Sequence, residues 1–263
     1  MKITICDSRD EAAGIAAGTI LSSLREKPEL VLGLATGSTP CGVYARLVDA
    51  CRKGTADFSR VRTFNLDEYL DLGPGHPQSY RAFMRHHLFD GVNIPPEQIH
   101  FPPAEGDSLL ERCQRFEDDI RAAGGIDVQL LGIGSNGHIG FNEPTSSLRS
   151  RTRVQTLTTK TLLDNGRYYS PGEFQPQMAV TMGIGTILEA RRIVLQAFGI
   201  RKADAIRATV EGPVSAFCPG SALQLHPQVL ILLDGEAASR LSMRDFFMRA
   251  RENEEQLRHS ARL

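Results

Sequence analysis

Asn136, His138 and Glu143 lie close together in one stretch, Leu130-Leu-Gly-Ile-Gly-Ser-Asn-Gly-His-Ile-Gly-Phe-Asn-Glu-Pro144, whose residue types suit proton transfer. An imidazole exchanges a proton near neutral pH, and a neighbouring carboxylate or amide can hold it in one orientation. Gly132, Gly134, Gly137 and Gly140 allow positive φ and close backbone approach, so they can aim these side chains into one cleft. A second acid-base candidate is Asp67-Glu68, directly after the partly alternating strand candidate Val61 to Leu66. A carboxylate at the carboxyl edge of a parallel sheet is placed as a general base, although the same pair also suits a solvated turn or a helix cap. Thr36-Gly37-Ser38-Thr39-Pro40 puts hydroxyls ahead of a helix start, with Thr39 as N-cap and Pro40 in the first turn. Such a loop is either an anion cradle or simply a well-capped turn, and spacing alone does not separate the two. Lys202 stands at another helix start after a strand and could hold an anion there. His86 and His87 point apart on a helix, so no metal site is expected from them.

Gly132-Ile-Gly134-Ser-Asn-Gly137 also matches the dinucleotide pattern G-x-G-x-x-G, which requires a helix opening at its last glycine. Gly140 and Pro144 break helical continuity instead, and no convincing ribose-binding acid ends a second strand about 20 residues on. A nicotinamide dehydrogenase is kept only as a rival reading.

The surrounding elements alternate strand and helix. Ser8-x-x-Glu11 predicts a capping box, followed by Ala12, Ala16, Ile20 and Leu24 on one face and a stop at Pro28. Leu30 to Ala35 reads as a strand, and the next helix presents Val43, Leu47 and Cys51 and closes at Gly54. Tyr80, Phe83, Met84, His87 and Leu88 form a helical stripe; Asn93 to Pro103 reads as a connection; Ser108-x-x-Glu111 predicts another capped helix. Val128 to Ile133 lacks charge and suits a strand buried on both faces. Thr145 to Gln177 is polar and without sustained periodicity, which predicts a mobile cover over the site. Strands at Met178 to Met182, Arg192 to Phe198 and Val229 to Leu233, and a terminal surface helix from Met243, complete the pattern.

With 263 residues, 41% hydrophobic and 23% charged, the chain has the balance of one large α/β domain spanning 1–263. A net charge of −1 offers no summed basic field, so neither nucleic acid nor a membrane surface is the expected partner and a small solute is. No apolar run approaches the ~20 residues that span a bilayer, and the acidic amino terminus is unlike a signal peptide. Cys6, Cys41, Cys51, Cys113 and Cys218 are scattered, which suits reduced thiols and a cytoplasmic location.

Thr63-Phe-Asn-Leu-Asp67-Glu-Tyr69, the glycine-rich stretch through Pro144, Ser150-Arg-Thr-Arg153 and Leu223-Gln-Leu-His226 together resemble the glucosamine-6-phosphate deaminase (isomerising) family, nearly end to end. Sugar-phosphate lactonases share the glycine-rich strand and a Gly-His pair, so 6-phosphogluconolactonase-like hydrolysis is the alternative. Phe141-Asn-Glu143-Pro144 goes with the deaminases. The resemblance implies a Rossmann-like open, mostly parallel sheet with helices on both faces and a lid over about 145–177. It also implies conversion of glucosamine 6-phosphate and water to fructose 6-phosphate and ammonia, without metal or organic cofactor. On that resemblance Asp67 moves the proton from C2 to C1, His138 assists ring opening, and Glu143 orients and charge-tunes the imidazole. Asn136 stands where better-known members carry aspartate, so it can hydrogen-bond but cannot stabilise a histidinium by charge. Ser38, Thr39, Arg167 and Lys202 would bind the phosphate, and Gly37 and Gly137 would contact the substrate. Ser146, Ser147 and Arg153 match an effector site for N-acetylglucosamine 6-phosphate, whose lysine is replaced here by Gln155. Weak activation is therefore expected, and oligomeric state is left open.

Overall fold

The computed structural model describes residues 1–260 apart from Pro74, Arg167, Tyr168 and Pro171. Seven strands form a sheet in which every pairing is parallel. They are β1 (Lys2–Ile5), β2 (Val31–Leu34), β3 (Arg62–Asn65), β5 (Ile99–His100), β6 (Val128–Leu131), β9 (Arg192–Ala197) and β10 (Val229–Leu233). A small antiparallel sheet holds β4 (Asp67–Tyr69), β8 (Met178–Thr181) and β7 (Arg153–Thr156), in that order. The helices are α1 (Arg9–Glu26), α2 (Cys41–Arg52), α3 (Tyr80–His87), α4 (Leu109–Ala122), α5 (Thr159–Gly166), α6 (Ile184–Leu188), α7 (Ala203–Val210) and α8 (Arg244–Ser260).

The large sheet runs β1-β10-β9-β6-β2-β3-β5. From β2 the chain builds outward through β3 to β5, and from β6 it builds the other way through β9 and β10. The direction of winding therefore reverses between β2 and β6, and the crevice beyond their carboxyl ends is where open α/β sheets receive ligands. Apolar runs such as Val-Leu-Gly-Leu in β2 and Val-Leu-Ile-Leu-Leu in β10 are needed because both faces are covered. One face packs on α1, α2 and α3 through Ile20, Leu47 and Met84, the other on α4, α6 and α7 through Phe116, Ile187 and Ile206.

Ser8 caps α1, its Oγ accepting the Glu11 N–H at 3.1 Å, while the Glu11 carboxylate reaches back to the Asp7 N–H at 2.7 Å. Two other expected caps differ. Pro40 itself is the N-cap of α2 and no side chain caps it, so the Thr39 hydroxyl is not spent on the helix. Ser108 takes a left-handed conformation at φ 56°, from which its side chain makes no capping bond to α4. The connection after Asn93 holds the short edge strand β5, paired with β3 at Thr63 and Phe64.

The segment read as an aperiodic cover contains structure of its own. β7 alternates exposed and half-buried residues and pairs along its whole length with β8. Its approach is tied down by Glu117 of α4, which is buried and accepts the Thr152 N–H at 2.7 Å, the Thr152 hydroxyl at 2.5 Å and the Thr186 hydroxyl at 2.7 Å. α8 lies along β1, where Arg251 donates to the Ile5 carbonyl and the Glu11 carboxylate, each at 2.6 Å. Among the described residues no helix is long and apolar enough to cross a membrane.

Candidate active site

Asp67 marks the point where the chain changes sheets. Leu66 still bonds to Leu34 of β2, at 3.0 Å, and one residue later Asp67 pairs with Thr181 of β8. The carboxylate is 5% exposed, and burial pushes its pKa up to about 8, the neighbouring Glu68 charge adding to the shift. The two acids have separate jobs. Glu68 accepts the N–H groups of Tyr69, Tyr80 and Arg81, each at 2.9 Å, and so serves the amino end of α3. No such bond from a described residue offsets the burial of Asp67. Tyr44, Tyr69 and Tyr80 are held above the usual phenol range, mainly by burial, with the Asp67 charge contributing.

Beyond β6 the glycine-rich chain turns back on itself: the Gly134 N–H bonds to the His138 carbonyl at 2.8 Å and the Gly137 N–H to the Gly134 carbonyl at 3.1 Å. The His138 ring lies against Gly134, where a Cβ would stand 2.3 Å from Cε1, so no other residue fits beneath the imidazole. Nδ1 of His138 is 3.5 Å from Oε2 of Glu143 and 3.5 Å from the Thr161 hydroxyl of α5. Burial would raise the Glu143 acid, but the hydrogen bond and charge of His138, with contributions from Thr161 and the Thr158 N–H, bring it down to about 2. The hydrogen bonds of Asn136 go to Glu143 and to the His138 backbone rather than to the imidazole. Its Nδ2 donates to Glu143 Oε2 at 2.8 Å and its Oδ1 accepts the His138 N–H at 3.2 Å. The amide therefore supplies a donor where an aspartate would set a second negative charge against Glu143.

Gly140 joins this turn to Asp67. At φ +55° it approaches so closely that a Cβ would lie 3.0 Å from Thr181 Oγ1 and 3.5 Å from Asp67 Oδ2. The turn carrying His138 thus covers the buried carboxylate. Both backbone groups of Gly137 are occupied, its carbonyl accepting the Gly220 N–H at 2.8 Å, so it shapes the loop and offers no free amide.

Gly37, Ser38 and Thr39 lie between β2 and α2, on one side of the crevice, with Gly37 at φ +95° and Ser38 exposed. Lys202 ends a 3-10 turn before α7 and reaches across to the Ile133 carbonyl at 2.6 Å, which places its ammonium beside the end of β6. Arg167 lies outside the described residues. Ser146 and Arg153 are in contact, Nη2 to Oγ at 2.9 Å, and the same Nη2 also donates to Gln155 at 2.9 Å. Ser147 is turned elsewhere, accepting the Arg149 N–H at 3.2 Å. Among the described residues no group of three or more His, Cys, Asp or Glu side chains could hold a metal ion.

Neither motif nor chemical spacing marks Thr158, Thr161 or Thr181 as site residues. Thr158 to Thr161 carried a usable signal, since the Thr161 N–H bonds to the Thr158 hydroxyl at 3.3 Å at the start of α5. Thr181 carried none, because its place opposite Asp67 comes from long-range pairing.

A buried acid and a histidine-carboxylate pair thus stand together on the carboxyl edge of a parallel sheet, at its topological switch point, an arrangement whose chemistry suits proton transfer. The chain belongs to the family of glucosamine-6-phosphate isomerases/6-phosphogluconolactonase, whose model matches residues 7–231. It is 53% identical over 94% of its length to glucosamine-6-phosphate deaminase of Hahella chejuensis (strain KCTC 2396), covering 94% of that protein. With the deaminase of Thermoanaerobacter pseudethanolicus (strain ATCC 33223 / 39E) it shares 48% identity over 93% of this chain and 97% of that one. The structure of a monomeric glucosamine-6-phosphate deaminase superposes with a TM-score of 0.88 at 42% identity, over 91% of this chain and all (100%) of that one. The 6-phosphogluconolactonase from Trypanosoma cruzi superposes at 0.73 with 21% identity, over 92% of this chain and 97% of that one, a likeness of fold alone.

Proposed function

We propose that this chain converts glucosamine 6-phosphate and water to fructose 6-phosphate and ammonia, in amino-sugar breakdown. The observation that carries the reading is the Asp67 carboxylate, buried beneath the His138 turn with no hydrogen-bond donor from the described residues spent on it. With Nδ1 turned to Glu143, Nε2 of His138 is the nitrogen that shuttles a proton between the ring oxygen and O1 during opening. Asp67 then takes the C2 proton, giving an enolamine, and returns it to C1, giving a C2 iminium. Water adds to that carbon and ammonia leaves. Burial favours a protonated Asp67 in the free enzyme, and the substrate's C2 ammonium favours the carboxylate once bound. The substrate thus generates its own base. Equimolar ammonia and fructose 6-phosphate from glucosamine 6-phosphate are the expected products; turnover without ammonia would overturn the reading. The five free thiols suit the cytoplasm as its setting.

We assign the phosphate to Ser38, Thr39 and Lys202 around the β2/β6 crevice, with Arg167 closing from the segment after α5. Lys202→Ala and Arg167→Ala should each raise KM at least tenfold, Arg167→Ala also lowering kcat if closure precedes chemistry. Steady-state kinetics check this, and unchanged constants in both variants would move the phosphate elsewhere. α5 ties the proposed lid to the site, since it sets Thr161 against His138 at 3.5 Å and Asp164 accepts the Ser135 hydroxyl at 2.8 Å.

For Ser146, Ser147 and Arg153 we propose at most a weak effector site. Gln155 contributes no positive charge, and its carbonyl already takes part of the Arg153 guanidinium. A charge-assisted hydrogen bond contributes roughly 1.5–3 kcal/mol, comparable to a typical allosteric coupling of about 1–3 kcal/mol. Rate curves against glucosamine 6-phosphate should stay hyperbolic and shift less than about threefold with N-acetylglucosamine 6-phosphate. Sigmoidal curves made hyperbolic by that compound would contradict the expectation.

A further inference from the structure

Asn142 is fully buried between the two halves of the site, and its side chain bonds in both directions. Its Nδ2 donates to the Ile139 carbonyl at 2.9 Å and to the Met182 carbonyl at 2.8 Å. Ile139 follows His138. Met182 follows Thr181, the residue opposite Asp67, and its N–H bonds to the carbonyl of Leu66, just before Asp67, at 2.6 Å. One amide therefore spans from the histidine turn to the ledge that carries the buried acid. A parallel link runs from the Phe141 N–H to Thr181 Oγ1 at 3.0 Å.

The other end of the amide is held by Arg153. Its Nη1 donates to Asn142 Oδ1 at 2.8 Å, where the Ser150 hydroxyl makes a longer contact at 3.4 Å. Two carbonyls can be served only by an NH2 group, so the cation at Oδ1 and the acceptors at Nδ2 specify a single orientation. Arg153 stands on β7 opposite the same Thr181, and its hydrogen-bond partners among the described residues, Asn142, Ser146, Gln155 and the Arg151 carbonyl, are all neutral. Loss of the guanidinium would leave a buried carbonyl oxygen underserved, and the turn beside it would loosen.

We propose that Asn142, locked by Arg153, is a positioning clamp that sets His138 against Asp67; this rests on the reading of those two residues as the proton-moving pair. Neither clamp residue needs to touch substrate. Because Gly140 of the same turn covers Asp67, a loosened clamp does two things together: it displaces the imidazole and admits water to the acid. Among the described residues the charged and titratable groups that act on Asp67 or feel its charge are Glu68 on its own strand, Tyr44 of α2, Tyr69 of β4 and Tyr80 of α3, and none of them is substituted by a change at residue 153.

The test compares wild type, Arg153→Met and Arg153→Lys, each checked for folding by circular dichroism. Arg153→Met should lose 10- to 100-fold in kcat, the scale of a misplacement of about 1 Å, with KM changed less than about threefold. The acid limb of its kcat/KM profile should move to lower pH as Asp67 becomes wetter, a shift that simple destabilisation does not produce. Arg153→Lys, which keeps a cationic donor, should recover most of kcat. Wild-type kcat and an unmoved acid limb in folded Arg153→Met would overturn the clamp. If that variant does not fold, Ser146→Ala with Gln155→Leu removes two anchors of the guanidinium and should give a severalfold loss with the same direction of pH shift; no change would overturn the proposal equally. Ammonia release by wild type in the same assay keeps failure of the clamp distinct from failure of the deaminase reading.

Discussion

Asp67→Asn will fold, bind the sugar phosphate and release ammonia at least on the order of 10²-fold more slowly than wild type, the range for loss of a general base. The amide keeps the shape of a carboxylate that is 5% exposed and cannot accept the C2 proton. The same change should stabilise the protein in alkali. The folded pKa of about 8 is raised above an unfolded value near ~4, so the favourable contribution of Asp67 is complete below that unfolded value. It is lost as pH rises through about 8, where a buried negative charge must be formed. Thermal melts at pH 5 and pH 9 should show the variant close to wild type in acid and above it in alkali. Near-normal ammonia release would remove Asp67 from the mechanism, and a lower melting temperature at pH 9 would contradict its burial as an acid.

The second large effect is on pH dependence. For wild type, log kcat/KM should climb with a slope of about one and level off near pH 8, because this constant reports ionisation in the free enzyme. Two pH units below that bend, roughly a hundredfold of kcat/KM is gone. The acid limb of kcat alone should lie lower, since the substrate's ammonium favours the carboxylate in the complex. Coincident limbs would mean that the bound cation does not sit beside Asp67.

Much of this site could be read from the chain before folding. The glycine-spaced histidine and carboxylate are local, and their hydrogen bonds run over a few residues, as from Asn136 to Glu143. Asp67 is marked by its position at the end of a partly alternating strand pattern, Val61 to Leu66. The transfer of Asp67 to a second sheet was not legible, because β4 is three residues long and exists only through its pairing with β8. The same holds for β7, whose half-buried alternation looks like polar coil until β8 and Glu117 are beside it. Asn136 invited comparison with an aspartate facing the imidazole, and only the folded loop shows its amide turned to Glu143. Thr39 and Ser108 fitted capping patterns whose geometry the backbone did not adopt.

Glucosamine 6-phosphate and 6-phosphogluconolactone, offered to the same purified protein, test the central claim most directly, because the family to which the chain belongs joins enzymes of both compounds. Ammonia and fructose 6-phosphate should appear in equal amounts from the amino sugar, with no acid release from the lactone above its spontaneous rate. Rapid lactone opening without ammonia from the amino sugar would contradict the account.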